Sequence, residues 1–143
     1  MLVETSHGLV VEDAPEPADL AKLEEQVAAA ATAAAGARDE QEFGIFLRDN
    51  DGRMLAGISG LIWGRCCELQ AMWVTESLRG RGLARGLIAA AEAEARRRDC
   101  ALVAFHAYDL LVPGLYKRLG YETVGVIEGY PPGSAARWYR KNL

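Results

Sequence analysis

The sequence predicts a mixed α/β sheet of six or seven strands with three or four helices, built as one domain over residues 1–143. Three observations predict it. Apolar segments follow one another in the order β-α-β-β-β-α-β-α-β-β. Residues 66–107 read as strand, helix, strand, the pattern of one parallel crossover within a mixed sheet. Composition is ordinary for a globular chain, 50% hydrophobic and 25% charged, and the length suffices for a full core.

Residues 1–12 carry the β-formers Leu2, Val3, Leu9, Val10 and Val11, with a bend or bulge at Gly8. Pro15 and Pro17 punctuate the chain before a helix over 18–35. Its apolar positions Leu20, Leu23, Val27, Ala31 and Ala34 recur three and four apart, and Gly36 suits its end. Residues 43–48 form a strand, "DNDG" at 49–52 supplies a hairpin turn, and 54–63 and 66–74 are two more strands hinged near Gly64. The clearest helix covers 83–98, with Leu83, Leu87, Ile88, Ala91 and Ala95 on one face. Arg85, Glu92, Glu94 and Arg96 fall mostly on the others. Arg96, Arg97 and Arg98 sit in its last turn, where the helix dipole favours cations. Residues 101–107 are an apolar strand. Pro113 opens a short helix ending at Gly120, and 121–128 and 137–140 are the last strands, parted by "YPPG".

Several classes are disfavoured. A formal charge of −4 does not suit a nucleic-acid backbone. No apolar run nears the roughly 20 residues of a membrane span, and the N-terminus lacks a signal-peptide pattern, so the expected compartment is the cytoplasm. Cys66, Cys67 and Cys100 show no metal-ligand spacing; reduced packing residues are the expectation, a reactive thiol the alternative. No metal is implied.

"RGRG" at 79–82 needs a reason, because glycine weakens both helices and strands. It lies where one strand has ended and the helix from Leu83 begins. The first amides of a helix lack internal acceptors and the dipole makes that end positive, so phosphate is a natural guest. Removing side chains at Gly80 and Gly82 opens the main chain, and Arg79, Arg81 and Arg85 add charge. The competing reading is a glycine-rich turn with solvated arginines. A P-loop is excluded by the lack of Gly-Lys-Ser/Thr, and the dinucleotide fingerprint fails at Arg85.

Arg79-x-x-Gly82-x-Ala84 is similar to the pyrophosphate motif of the GNAT superfamily of N-acetyltransferases. "LYKRLGYETVG" at 115–125 resembles that family's second signature, and "GYPPGSAARWYRKNL" resembles the ending of many small bacterial members. "EDAPEPADLAKLEEQV" and "FLRDNDGRMLAGISGLIWG" also fall where such members place their first helix and following hairpin, so the resemblance spans nearly the whole chain. It implies an acetyltransferase-type fold and acetyl-CoA as co-substrate, bound by Arg79, Gly80, Arg81, Gly82, Leu83, Ala84 and Arg85. An oxyanion-stabilising backbone N–H is implied near Trp73 and Val74. The acceptor would be an amine of a small molecule or a peptide, without nucleic acid or membrane as partner, and a homodimer is among the assemblies the family forms. A non-catalytic acyl-CoA sensor of the same fold is the alternative.

The resemblance makes Tyr116 the general acid for the leaving thiolate; otherwise it is a core aromatic. Glu68 sits in an otherwise apolar strand, where a carboxylate must be exposed, partnered or working. It also lies eleven residues before Arg79, where some family members carry their base. Base, amine anchor and solvent-facing residue all stay open, and strand alternation puts Gln70 and Met72 on its face. Asp109 departs from the family, which often has asparagine seven residues before the tyrosine; a helix cap is its other reading. His106 is expected to be structural.

Overall fold

The computed structural model describes residues 7–36, 40–111 and 114–143, in two compact units, Met1–Arg38 and Asp39–Leu143. In the first unit, α1 spans Pro17–Ala35, with Pro17 in its first turn, where a missing N–H costs nothing. Gly36 follows it at φ 84°. The strand expected over residues 1–12 is not found among its described part. Only an isolated bridge at Val10 appears, because the chain bends at Gly8 and again at Asp13 and leaves too little extended backbone for a ladder. Leu2 and Val3 lie outside the described residues.

The second unit is a six-stranded sheet. Its elements are β1 (Gln41–Arg48), β2 (Met54–Trp63), β3 (Cys66–Val74), α2 (Leu83–Arg97), β4 (Leu102–Tyr108), α3 (Leu115–Arg118), β5 (Glu122–Glu128) and β6 (Ala135–Asn142). A 3₁₀ turn at Glu76–Leu78 lies between β3 and α2. The order is β1-β2-β3-β4-β6-β5, and only β3 and β4 run parallel, joined by α2. This is the crossover that the strand-helix-strand pattern predicts. Pro113, expected in the first turn of the short helix, lies outside the described residues.

At the β1–β2 turn, Asp49 Oδ1 accepts the backbone N–H groups of Asp51 and Arg53, each at 2.9 Å, so the turn closes on a side chain. The apolar face of α2 packs Leu87, Ile88, Ala91 and Ala95 against Ala56, Ile58, Ile62, Cys67 and Val103. Beside them Phe105, Tyr116, Tyr121 and Tyr139 form an aromatic cluster with centroids 4.5–6.4 Å apart. Glu92 departs from expectation. It is buried within α2 rather than solvated, and Tyr121 and Lys141 meet it there. The three cysteines are free, and burial pushes the Cys67 thiol up to about 12, away from reactivity at neutral pH.

Candidate active site

The parallel pairing of β3 and β4 is short. It joins Cys66, Cys67 and Glu68 to Leu102, Val103 and Ala104, after which no ladder pair links the two strands. On its other edge β3 pairs Leu69 with Gly60 and Ala71 with Ser59, so Gln70 is an extra residue, a β-bulge. A bulge bends and twists its strand, which accounts for β3 leaving β4 at this level. The cleft between the parted strands is a cavity of about 50 Å³ whose walls include Gln70, Met72, Phe105, His106 and Tyr116.

Tyr116 is 8% exposed and lies in the first turn of α3. Its ring meets Phe105 edge-on at 4.5 Å and Tyr139 at 5.1 Å. Burial, and secondarily Tyr139, raise its pKa above the ordinary phenolic value, so it holds its proton through the neutral range. A buried, protonated hydroxyl on a cleft wall can donate to a developing anion.

The bulge reverses side-chain alternation, so Glu68 does not share a face with Met72. Met72 pairs with Ile58 and packs on the core; Glu68 pairs with Leu61, on the opposite face from the core residues Cys67 and Leu69. Glu68 stands at the last β3–β4 pair and is half-buried, outside the residues that line the cavity. Its charge is one reason the Cys66 thiol is raised, after desolvation. His106, expected to be structural, is on the cavity wall as well as between the rings of Trp138 (5.4 Å) and Tyr108 (5.2 Å). Gln70, expected from alternation to accompany Glu68 near the acceptor, is the bulged residue and stands on the cavity wall; a bulge leaves no signature in composition.

Asp109 is not a helix cap. Arg137 Nε donates to both of its carboxylate oxygens at 2.8 Å, and the residue before α3 is Gly114. The carboxylate at this position is thus paired with a guanidinium from β6. Tyr108 in turn donates to the Tyr130 hydroxyl at 3.2 Å, tying the "YPPG" loop to the end of β4.

At the start of α2, Gly82 is the N-cap at φ 81° and Gly80 has φ 75°. Both glycines therefore have a backbone reason, since side-chain-bearing residues rarely adopt this region. Nothing of the protein lies within 4 Å of where a Cβ would stand at either one. No side chain from Gly82 caps the helix, and Gly86 N–H, bonded to Gly82 O at 3.0 Å, is the first amide with an intrahelical partner. The amides of Leu83, Ala84 and Arg85 thus have no intrahelical acceptor at the positive end of a 15-residue helix. Arg81 and Arg85 are exposed beside them. Arg79 Nε donates to Val74 O at 3.0 Å and fastens the loop to the end of β3, a bond that does not use its two terminal nitrogens. At the far end of α2, Arg97 and Arg98 are engaged with Glu94, whose carboxyl their hydrogen bonds hold down at about 2. Arg81 and Arg85 thus place basic charge at the end of the helix where the dipole also favours an anion.

Residues 9–121 match the model of the acetyltransferase (GNAT) family. The chain is 32% identical over 108 residues to the blasticidin-S acetyltransferase of Streptomyces morookaense, covering 75% of this chain and 79% of that protein. Among solved structures, one assigned as an acetyltransferase from Agrobacterium tumefaciens superposes with a TM-score of 0.87 at 25% identity, covering 94% and 98% of the two chains. A Bacillus anthracis protein assigned as a streptothricin acetyltransferase, solved with acetyl coenzyme A, shares the fold at a TM-score of 0.60 and 14% identity, over 71% and 62% of the chains.

Proposed function

The chain belongs to the acetyltransferase (GNAT) family, and we propose that it moves the acetyl group of acetyl-CoA to a primary amine of a small molecule or peptide. The observation that carries this reading is one arrangement. β3 leaves β4 at a cleft walled by Tyr116, and the same β3 leads, through the 3₁₀ turn at Glu76–Leu78, into the uncapped, glycine-opened start of α2. A pyrophosphate on the amides of Leu83–Arg85, with Arg81 and Arg85 beside it, would direct the rest of the donor toward that cleft.

In the reaction, the free amine attacks the thioester carbonyl carbon, the carbon–sulfur bond breaks, and the electron pair leaves on sulfur. Tyr116 gives its proton to that sulfur, the nitrogen gives up its surplus proton to water as the amide forms, and Tyr116 is reprotonated from water. A β3 backbone N–H near Trp73–Val74, on the edge that β4 leaves unpaired, would steady charge on the carbonyl oxygen. Glu68, at the last β3–β4 pair, takes the ammonium proton or holds the amine. Arg79 supports the phosphate loop through Val74 by its Nε, and its terminal nitrogens would add charge for the donor.

For the acceptor, a groove of about 540 Å³ lies over β1, β2 and β3, with Glu42, Phe46, Ser59 and Leu61 on its walls, and it shares Gln70 with the cleft. Its volume suits a small molecule. Phe46 lies flat over Gly44 and Gly57, where a Cβ would come within 2.6 and 2.8 Å of its ring. The Arg48 guanidinium already lies 4.9 Å over the Phe46 ring, so it is the Glu42 carboxylate on the wall that suits a cationic amine. That a relative is named for blasticidin S supports a small-molecule acceptor.

The test is acetyl-CoA with a panel of amines that includes blasticidin S, read as thiol release. Turnover of one or more primary amines is expected. Acetyl-CoA binding without turnover of any would replace this reading by the acyl-CoA sensor; absence of binding would remove both.

A further inference from the structure

Glu92 is unusual among the described residues: it is the buried charged one, 7% exposed in the middle of α2. A carboxylate withdrawn from water is costly unless it is fully engaged. Here Glu92 Oε1 accepts two hydrogen bonds, from Tyr121 Oη at 2.9 Å and from Lys141 Nζ at 2.8 Å. Lys141 Nζ also donates to Leu119 O at 2.9 Å. The Tyr121 backbone N–H donates to Tyr116 O at 3.0 Å. These four bonds join α2 and β6 to the turn that follows α3.

That turn matters because α3 has only four residues. A single turn of helix does not hold itself, since nucleation costs more than the first hydrogen bonds return. Lys141 takes the carbonyl of Leu119, and the Tyr121 N–H reaches that of Tyr116 at 3.0 Å beside the Leu119 N–H at 3.1 Å within the turn. The Tyr121 ring also meets Phe105 at 5.1 Å, and Phe105 is the ring against which Tyr116 rests. Apolar residues could fill the same volume and often stabilise as well as a buried ion pair. What they could not supply is direction, and direction is what a proton donor on a short helix requires.

We propose that Glu92, with Lys141 and Tyr121, is a positioning group that fixes α3 and thereby aims the Tyr116 hydroxyl into the cleft. This rests on Tyr116 being the general acid. Glu92 itself touches neither donor nor acceptor; it acts through the carbonyls of Tyr116 and Leu119.

The experiment has two readouts. In the protein without ligand, Glu92→Ala is expected to speed amide exchange at Leu119–Tyr121 by tenfold or more, while β4 amides keep their protection. In turnover with acetyl-CoA and the best acceptor of the amine panel, well below the melting temperature, kcat is expected to fall about 10- to 100-fold, the scale of a small misplacement. KM for acetyl-CoA should stay within about threefold, since the phosphate end of the site is untouched. Glu92→Gln, whose amide oxygen still accepts both bonds, should recover most of kcat. On a Tyr116→Phe background, Glu92→Ala should cost nothing further, because the group acts only through that hydroxyl. Tyr121→Phe removes one hydroxyl, and it provides the same cycle if Glu92→Ala does not fold. Losses that multiply in the double variant overturn the proposal, as does a Glu92→Ala protein that melts earlier yet keeps full kcat. Full activity of Tyr116→Phe alone would instead remove the acid and, with it, the catalytic role of Glu92. The two failures are therefore distinct.

Discussion

Tyr116 is gripped by Phe105 and Tyr139 on its ring, with burial holding its proton in place. Tyr116→Phe should therefore fold, and lower kcat by roughly 10²- to 10⁴-fold, the worth of positioned acid–base catalysis. Acetyl-CoA affinity, measured by calorimetry, should change less than about tenfold, because a neutral hydrogen bond is worth roughly 0.5–1.5 kcal/mol. Since the pKa is raised, the protonated acid persists to higher pH than a free tyrosine. A kcat–pH profile should show no alkaline loss due to Tyr116 below about pH 10, the unperturbed value. Glu68→Gln tests the base: if Glu68 takes the proton, the rate loss is greatest at low pH and recovers partly as free amine accumulates. A loss equal at every pH would assign Glu68 to anchoring.

Two elements turn these residues into a site, the bulged β3 and the open start of α2. Gln70 exists as a separate wall residue only because the bulge inserts it, and it borders both the cleft and the groove. Gln70→Ala should raise KM for the acceptor several-fold, leave KM for acetyl-CoA unchanged, and keep the fold, since the residue is exposed. At α2, Arg81→Ala combined with Arg85→Ala should weaken acetyl-CoA about tenfold or more, because hydrogen bonds to charged groups are worth roughly 1.5–3 kcal/mol. The salt dependence of binding should flatten as well. Gly82→Val is a poorer probe than the motif suggests. At φ 81° a β-branched residue is strained, and the melting temperature should fall before ligand is added.

For the molecule as a whole, acetyl-CoA should raise the melting temperature, by an amount set by RT ln(1 + [L]/Kd), or about 2.7 kcal/mol at a hundredfold excess over Kd. The doubly substituted arginine variant should lose most of that shift while melting normally without ligand. Much of this molecule was readable in its residues. The three- and four-residue spacing of Leu87, Ile88, Ala91 and Ala95 fixes the buried face of α2, and the glycines at 80 and 82 mark its exposed beginning. The strand-helix-strand run fixes the parallel pair, because a parallel partner needs a crossover. These features rest on local rules, periodicity and backbone freedom, which act within a few residues. Other features depend on partners distant in the chain. Glu92 looks solvated by its neighbours in sequence, and only Tyr121 and Lys141, 29 and 49 residues away, make its burial tolerable. Asp109 looks like a cap until Arg137 claims it. The faces of Glu68 and Met72 follow from one extra residue in β3, set by its pairing with β2 and invisible to alternation. Sequence determined the elements and the open, glycine-marked start of α2; the sheet, by choosing which distant groups meet, decided which way the acids and the cleft face.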